Sequence, residues 1–292
     1  MRGPRGQAIL LLALVVGAGA VSAARDLCQP VTLPAPAEAL AALAEEGHTD
    51  DLSLVAWPGL DPGSAQETHS CSGEIRPGAP MTSPSVCTMS WILRDDEGRN
   101  YQTTAGHCAP VRGQTVSVQG VGPIGTVVFT TGDGGFGNDI ALVRITPGLA
   151  VNPTLCHWGG PTGIATPDMA DLPGVGNYVL HYGWGTAFML TGATRARVAD
   201  LTPIAGVSGW FDDGSVRMIG ATDGGDSGSP VMIDNGRAAG IHTHRINAAA
   251  TLVGPKVATR LDVWVPRLEE ELKVDLELQL GLPLDLTGLS IP

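Results

Sequence analysis

The chain has 292 residues, of which 43% are apolar and 16% are charged, enough for one large hydrophobic core or two modest ones. Its 40 glycines and 22 prolines indicate many turns and few long helices, and therefore a β-rich fold. The formal net charge of -12 at pH 7 argues against a nucleic-acid backbone as the partner.

The N-terminal residues are typical of an export signal. Arg2 and Arg5 give a positive start, the run from Ala8 to Val21 is apolar, and residues 22–24 are small enough for cleavage. A membrane span needs about 20 predominantly apolar residues, and this run is shorter. We therefore predict a signal peptide over residues 1–24 and a secreted, extracellular mature protein without a membrane association; a retained anchor is the alternative.

Residues 25–80 differ from the chain that follows, because prolines recur there and strand patterns are scarce, so we predict a pro-segment or an N-terminal extension. From Val86 onward, short strand-like runs alternate with turns. The predicted strands are Val86–Leu93, Thr115–Val118, Gly125–Thr130, Ile140–Ile145, Tyr178–Tyr182, Arg195–Leu201, Val216–Ile219, Pro230–Ile233 and Ala238–Thr243, with a polar hairpin connection over 94–100. Frequent strands without helices between them indicate antiparallel barrels or a sandwich.

Near the C-terminus the pattern changes from strands to a helix. Apolar side chains recur there at helical spacing, at Leu261, Trp264, Val265, Leu268 and Leu272. This spacing predicts a helix over about 261–274. The tail over residues 277–292 alternates leucine with other residues, and we assign no function to it.

The stretch GDSGSP over residues 225–230 holds a candidate nucleophile, Ser227. Hydrolysis of an amide needs a nucleophile, a base and donors for the oxyanion. Flanking glycines let a substrate carbonyl approach closely and allow a strained turn that points the amides of Gly225 and Ser227 toward one spot. A Gly/Ser-rich turn alone is usually only a turn, but the full string is more specific.

Two residues upstream are suited to activate this serine. His107 differs from the other histidines by its small neighbours and an adjacent cysteine in the stretch TAGHC, over residues 104–108. Asp139 begins the apolar stretch NDIALV, over residues 138–143, where an aspartate is often just a turn residue or a cap. Since Asp139 lies between the histidine and the serine in the chain, it has a further role available. It would accept a hydrogen bond from the far nitrogen of His107 and fix the tautomer of the ring.

In this order, TAGHC, NDIALV and GDSGSP resemble the three catalytic motifs of the chymotrypsin–trypsin family of serine peptidases. YGWGT over 182–186, GIHT over 240–243 and VATRL over 257–261 resemble further segments of that family, so the resemblance covers roughly residues 86–274. It implies an all-β fold of two antiparallel six-stranded β-barrels with a C-terminal helix. We expect a peptidase domain over 81–276, with barrels over about 81–160 and 175–260, and a C-terminal tail after it.

The resemblance also implies the chemistry. Ser227 would attack the carbonyl of a protein or peptide substrate, with His107 as general base and Asp139 as the orienting carboxylate. The amides of Gly225 and Ser227 would form the oxyanion hole. We expect a monomeric endopeptidase that needs no metal and no organic cofactor.

The five cysteines leave at least one thiol without an intramolecular partner. A disulfide from Cys87 to Cys108 would pin the loop that carries the predicted base. By resemblance to the family, Cys156 pairs with Cys71 and leaves Cys28 unpaired, while Cys28–Cys156 is the competing pairing. The mode of activation stays open, because the family inserts a new N-terminus beside the aspartate before the serine, and some bacterial members use an internal arginine instead. Cleavage after Glu74 is the nearest candidate for the first mode.

Specificity is less determined by the sequence. Trypsin-like members carry an aspartate six residues before the serine, where this chain has Ala221, so cleavage after Lys or Arg is disfavoured. His242 stands where glutamyl endopeptidases of the family have a histidine, and we assign it to substrate binding together with Ala221, Thr243 and His244. It could pair with a substrate carboxylate, helped by Arg245 or Lys256. The alternative is a pocket wall that selects apolar or small residues.

Three other interpretations of the sequence are less favoured. A catalytically silent or latent relative that acts as a binding protein would usually have lost a triad residue, and this chain keeps all three. An esterase could use the same triad, but the order His, Asp, Ser differs from that of the nucleophile-elbow fold. His242 and His244 alternate on a strand and would share one side, yet this pair lacks a third ligand, so we predict no metal site.

Overall fold

The computed structural model describes residues 71–168, 178–185, 193–198, 211–212, 214–233, 235–246 and 253–282. These residues all belong to the second of the chain's two compact units, which covers residues 57–292. The predicted signal peptide, residues 25–70 with Cys28, the end of the strand predicted over 195–201, and residues 283–292 of the tail lie outside the described residues. No helix in the described ranges is long and apolar enough to cross a membrane.

The first sheet contains eight antiparallel strands in the order β15-β3-β4-β7-β6-β5-β1-β2. Their bounds are β1 (Pro80–Ser83), β2 (Cys87–Thr88), β3 (Ile92–Asp95), β4 (Asn100–Thr104), β5 (Thr115–Val118), β6 (Gly122–Thr130), β7 (Ala141–Ile145) and β15 (Leu276–Leu278). β2 and β3 are successive pieces of one bent segment, and they pair with β1 and β4 at opposite ends of the sheet. The sheet therefore curls into a barrel of six strands, counting β2 and β3 together, with β15 added outside β3.

The second sheet contains seven antiparallel strands in the order β10-β11-β14-β13-β12-β8-β9. Their bounds are β8 (Tyr178–Tyr182), β9 (Ala193–Val198), β10 (Phe211–Asp212), β11 (Ser215–Ala221), β12 (Pro230–Ile233), β13 (Ala238–Arg245) and β14 (Val253–Arg260). An additional pairing of β9 with β11 closes a ring of six strands, to which β10 is appended. The predicted all-β fold of two antiparallel barrels is confirmed.

The apolar alternation of the strands produces the cores. In β5 the side chains of Val116 and Val118 are buried while those of Thr115 and Ser117 are not, which is the period-two pattern of a half-buried strand. One apolar cluster fills the first barrel and a second fills the other barrel. A third cluster combines side chains of both sheets and of the C-terminal helix, among them Trp91, Ile241 and Trp264. Because burial of one large apolar side chain contributes about 1.5–3 kcal/mol, the third cluster joins the two barrels firmly.

The predicted C-terminal helix is present as α1 (Leu261–Leu272) and ends two residues earlier than expected, where Lys273 adopts a left-handed backbone conformation with φ 58°. Its buried face contains Leu261, Trp264, Val265 and Leu268, as the spacing predicts. The indole nitrogen of Trp264 donates a hydrogen bond to the carbonyl oxygen of Gly137 at 2.8 Å. The helix therefore holds the loop that leads into Asp139.

The structure contains two disulfides, Cys71–Cys156 and Cys87–Cys108, with Cα–Cα distances of 6.0 and 6.2 Å. Cys71–Cys156 is the pairing that the resemblance favours, and Cys87–Cys108 is the pairing predicted to pin the loop of His107. Residues 71–80 already belong to the folded part, because Ile75 and Ala79 are buried in the first core and Ile75 forms a parallel bridge with Val151.

Candidate active site

His107 lies on a single 3-10 turn, Gly106–Cys108, directly after β4. A glycine is required at position 106, since a Cβ there would lie 2.3 Å from the carbonyl oxygen of Gly132. The neighbouring Cys108 is fixed to β2 by its disulfide with Cys87. The predicted base is therefore held by a tight turn and a covalent link.

Two hydrogen bonds join His107 to Asp139. The backbone amide of His107 donates to Oδ1 at 2.9 Å, and Nδ1 faces Oδ2 at 2.6 Å. Because a carboxylate can only accept, Nδ1 carries the ring proton, and Nε2 of the neutral ring is left as the acceptor. The side chain of Asp139 is fully buried, and that of His107 is 31% exposed. The hydrogen bond that the ring donates to Asp139 raises the pKa of His107 above its ordinary value.

Ser227 reaches the same region from the second barrel. Its loop runs between β11 and β12 and docks on the first barrel, where its carbonyl oxygen accepts a hydrogen bond from the Thr88 amide at 2.8 Å. The same oxygen lies 3.7 Å from Sγ of Cys108, the residue after His107. The structure thus brings the loops of the three predicted triad residues together.

The loop between β11 and β12, residues 222–229, is named the nucleophile loop after the role predicted for Ser227, and it depends on glycine at two positions. Gly225 and Gly228 have φ angles of 101° and 90°, in the left-handed region that other residues rarely adopt. A Cβ on Gly228 would lie 2.0 Å from the carbonyl oxygen of Thr88. Only a glycine there allows the loop to approach the first barrel so closely.

The two amides predicted to form the oxyanion hole stand out in this loop. The amides of Asp226, Gly228 and Ser229 donate backbone hydrogen bonds, at 3.2, 2.7 and 3.0 Å. Within the described residues, the amides of Gly225 and Ser227 have no such acceptor. These two amides are therefore available as donors, as the predicted oxyanion hole requires.

Thr88 also belongs to this site, although no sequence motif indicates it. Its hydroxyl accepts a hydrogen bond from the Trp184 amide at 2.8 Å and donates one to the carbonyl oxygen of Gly225 at 2.9 Å. Thr88 therefore connects three segments: the first barrel, the GWG stretch and the nucleophile loop. The sequence around Thr88 does not indicate this role, because its two hydrogen bonds join residues that are 96 and 137 positions apart in the chain.

The GWG stretch surrounds the buried carboxylate of Asp226. A Cβ on Gly183 would lie 2.3 Å from Oδ1 of Asp226, and one on Gly185 would lie 2.8 Å from it. The Asp223 amide donates to Oδ2 at 2.8 Å. These glycines leave the space that the carboxylate occupies.

The predicted specificity residues Ala221 and His242 lie in a buried polar cluster. The carbonyl oxygen of Ala221 accepts a hydrogen bond from Nζ of Lys256 at 2.9 Å, and Lys256 is fully buried. Burial lowers the pKa of Lys256 to about 8, so its ammonium group remains mostly charged at neutral pH. Burial, together with the nearby charge of Lys256, lowers the pKa of His242 to about 3. His242 is therefore neutral.

The sequence suggests Lys256 and Arg245 as residues that assist His242, and the structure places these two in different surroundings. Its Nδ1 lies 3.1 Å from the carbonyl oxygen of Asp226, and its ring packs at 5.5 Å against His181. Burial also lowers the pKa of His181 well below its ordinary value. Lys256 belongs to this cluster, whereas Arg245 lies 3.8 Å from the carboxylate of Asp223 instead.

The predicted specificity residue His244 lies beside Asp139, and Thr243 precedes it in β13. The Thr243 hydroxyl donates to the carbonyl oxygen of Val257 at 3.3 Å and faces Nδ1 of His244 at 3.0 Å. Nε2 of His244 lies 3.0 Å from Asp133 and 3.7 Å from Asp139. A register shift in β13 separates His242 from His244, so the two rings occupy different surroundings and do not form a pair.

Two β-barrels, with a histidine–aspartate pair on one and a glycine-flanked serine loop from the other, define the chymotrypsin-like class of folds. Residues 96–267, more than half of the chain, match the model of the Trypsin family. The chain therefore belongs to the trypsin family of serine peptidases.

Several solved structures are similar to this chain. A glutamic-acid-specific serine protease shares 19% identity over 71% of this chain and 100% of that one, with a TM-score of 0.48. Protease A of Thermobifida fusca shares 21% over 70% of this chain and 100% of its own, with a TM-score of 0.47. Cellulomonas bogoriensis chymotrypsin shares 18% identity over 70% of this chain and 100% of its own, with a TM-score of 0.49. No sequence among curated proteins matches the chain significantly.

Proposed function

We propose that this protein is a secreted serine endopeptidase that hydrolyses peptide bonds through an acyl-enzyme on Ser227. The observation that carries the proposal is the doubly hydrogen-bonded pair of His107 and Asp139 beside the Ser227 loop. Its substrate is a protein or peptide, and it acts as a monomer without a metal or organic cofactor.

In the first step Oγ of Ser227 attacks the carbonyl carbon of the scissile bond while Nε2 of His107 takes the hydroxyl proton. The negative charge on the carbonyl oxygen is stabilised by the amides of Gly225 and Ser227. His107 then gives the proton to the leaving amine, and an ester to Ser227 remains. Water repeats the sequence with the same base and releases the acid. Throughout, Asp139 holds the ring in the required tautomer and stabilises the imidazolium.

Export is the second part of the proposal. The two disulfides are compatible with an oxidising compartment, where such bonds persist. A signal peptide over residues 1–24 and a pro-segment or N-terminal extension over 25–80, of which residues 71–80 pack into the folded part, complete the precursor. N-terminal sequencing of the secreted form would locate both cleavage sites.

Cationic substrate side chains are disfavoured at the primary specificity site. Position 221 carries no carboxylate, and the ammonium group of Lys256 lies 2.9 Å from the Ala221 carbonyl oxygen. We expect cleavage after Lys and Arg to be at least tenfold slower than after the preferred residue in a peptide library. A Lys256→Met variant measures the contribution of this charge, since it removes the cation and keeps most of the side-chain volume. Preferred cleavage after Lys or Arg would contradict the assignment.

The deciding experiment is fluorophosphonate labelling of the secreted protein, with the labelled residue mapped by mass spectrometry. We expect label on Ser227, none on the Ser227→Ala variant, and retained label on the control variant Ser229→Ala. Circular dichroism establishes that each variant is folded. Folded protein that stays unlabelled even after limited proteolysis, and that cleaves no peptide, would instead be a silent relative. Cleavage of esters but not of peptides would identify an esterase.

A further inference from the structure

Asp133, His244 and Asp139 form a cluster beside the triad, in which the three ligand atoms lie within 4.8 Å of one another. The peptidase mechanism does not require this cluster. We propose that these three side chains form a binding site for Zn²⁺, and that the bound ion inhibits the enzyme. The binding site is independent of the function proposed above, whereas the inhibition rests on it.

The spacing of the ligand atoms suits a small tetrahedral ion. Zn²⁺ binds imidazole nitrogen and carboxylate oxygen at about 2.0–2.2 Å, which places neighbouring ligands about 3.4 Å apart in a tetrahedron. Nε2 of His244 lies 3.0 Å from Oδ1 of Asp133 and 3.7 Å from Oδ2 of Asp139. These two distances lie on both sides of that value, and all three ligand atoms lie within 4.8 Å of one another.

The hydrogen bonds around His244 allow its Nε2 atom to bind a cation. The Thr243 hydroxyl donates to the Val257 carbonyl oxygen, so its oxygen accepts from Nδ1–H of His244. Nε2 of the neutral ring is then an acceptor that faces two carboxylates, which are also acceptors. Without a metal, a proton on Nε2 that is donated to Asp133 at 3.0 Å satisfies this arrangement, and a bound cation would take the place of that proton. The ring itself is held edge-on by Phe136, with centroids 5.3 Å apart.

Access and ligand chemistry indicate which ion would bind. The side chain of Asp133 is 67% exposed and that of His244 is 20% exposed, so an ion reaches the buried Asp139 from the Asp133 side. One imidazole with two carboxylates is a ligand set that suits Zn²⁺. Ca²⁺ requires six to eight oxygens and Mg²⁺ keeps most of its waters, so both should bind far more weakly. A water molecule would occupy the fourth position.

Inhibition follows from the shared carboxylate. Oδ2 of Asp139 accepts the hydrogen bond from Nδ1 of His107 at 2.6 Å, and the proposed ion would use the other lone pair of the same oxygen. The ion would neutralise the carboxylate charge of Asp139, which stabilises the imidazolium of His107. The positive charge of the ion would also repel that imidazolium. Proton transfer from Ser227 would then be disfavoured.

The first test measures binding without reference to activity. Isothermal titration of the Ser227→Ala variant with ZnCl₂, in a Cys28→Ser background that removes the odd thiol, should give one ion per chain. Asp133→Asn and His244→Gln should each weaken binding at least tenfold, and Asp96→Asn, an exposed acid in a distant hairpin, should not. MgCl₂ and CaCl₂ should give no comparable binding. Absence of binding, or equal binding by Asp133→Asn, would overturn the proposal.

The second test uses protein with an intact Ser227. Zn²⁺ should inhibit the wild type and Asp96→Asn equally, while Asp133→Asn should need at least tenfold more Zn²⁺ for the same inhibition. Equal inhibition of Asp133→Asn would place the inhibitory ion elsewhere and refute the proposal. If the protein had no peptidase activity, the function proposed above would fail, and the titration would still decide the binding site.

Discussion

The hydroxyl of Thr88 provides a test of how the two barrels cooperate in catalysis. It makes two hydrogen bonds across the barrel interface, to the Trp184 amide and the Gly225 carbonyl oxygen. Thr88→Val removes the hydroxyl and keeps the shape of the side chain. Thr88→Ser is the matched control, because it keeps the hydroxyl and loses only a methyl group.

The structure sets the size of the effect. A polar group left without its partner costs about 1–3 kcal/mol when buried, and Thr88→Val leaves two such groups. Since Trp184 and Gly225 are only partly buried, water can satisfy them in part, and we expect a total loss of about 2 kcal/mol in the free energy of unfolding. The Gly225 carbonyl belongs to the peptide beside the oxyanion amides. Its release should lower kcat by roughly tenfold and leave KM nearly unchanged, which is a fraction of the loss expected on removing a whole oxyanion donor.

Urea unfolding and steady-state kinetics on one peptide substrate measure the two quantities separately. Thr88→Ser should resemble the wild type in kcat. The reasoning is refuted if Thr88→Val has the kcat of Thr88→Ser, because the hydroxyl would then have no part in aligning the nucleophile loop. A rise in KM with unchanged kcat would also refute it.

Three further predictions concern the loops of the site. Since the pKa of His107 is raised and the base must be neutral to act, kcat/KM should fall on the acid side with an apparent pKa above 6.5. The contribution of the His107–Asp139 pair to the free energy of unfolding should be lost as the pH rises through this raised pKa. A pH–rate profile whose acid limb lies below 6.5 would contradict the prediction. Replacing Cys87 and Cys108 together by serine opens a link between residues 21 apart, which should lower the free energy of unfolding by about 3 kcal/mol and also reduce kcat, as chemical denaturation and kinetics would measure. Gly228→Ala should abolish folding or activity because its Cβ would lie 2.0 Å from a backbone oxygen of β2, whereas Gly224→Ala meets nothing within 4 Å and should be tolerated; equal behaviour of the two variants would argue against this geometry.

Strands with apolar alternation could be predicted from the sequence, and strands without it could not. Thr115–Val118, Tyr178–Tyr182 and Pro230–Ile233 have the bounds that the pattern predicts. β4 was not predicted, because its sequence NYQTT is polar although Gln102 and both threonines are buried. Gln102 tolerates this burial by donating hydrogen bonds to two backbone carbonyl oxygens, at 2.8 and 3.0 Å. Such long-range partners leave no local signal.

β14 was overlooked for a related reason. It contains Gly254 and Pro255, which usually indicate a break in a strand, and the charged Lys256, which usually indicates exposure. The site was predicted only where a motif carries it. The loops of His107, Asp139 and Ser227 follow from motif order, whereas the contact of Asp133 with His244 joins residues 111 apart and lies in no motif.

The hydrogen bond from Trp264 to Gly137 also has a consequence for the order of events during synthesis. The loop that leads into Asp139 is held by a helix that follows all three predicted triad residues in the chain, and β15 adds to the first barrel only when residues 276–278 have been made. A nascent chain that has completed both nucleophile and base therefore still lacks the support for its third group. The proposed site is thus complete only after residues 261–278 have been translated.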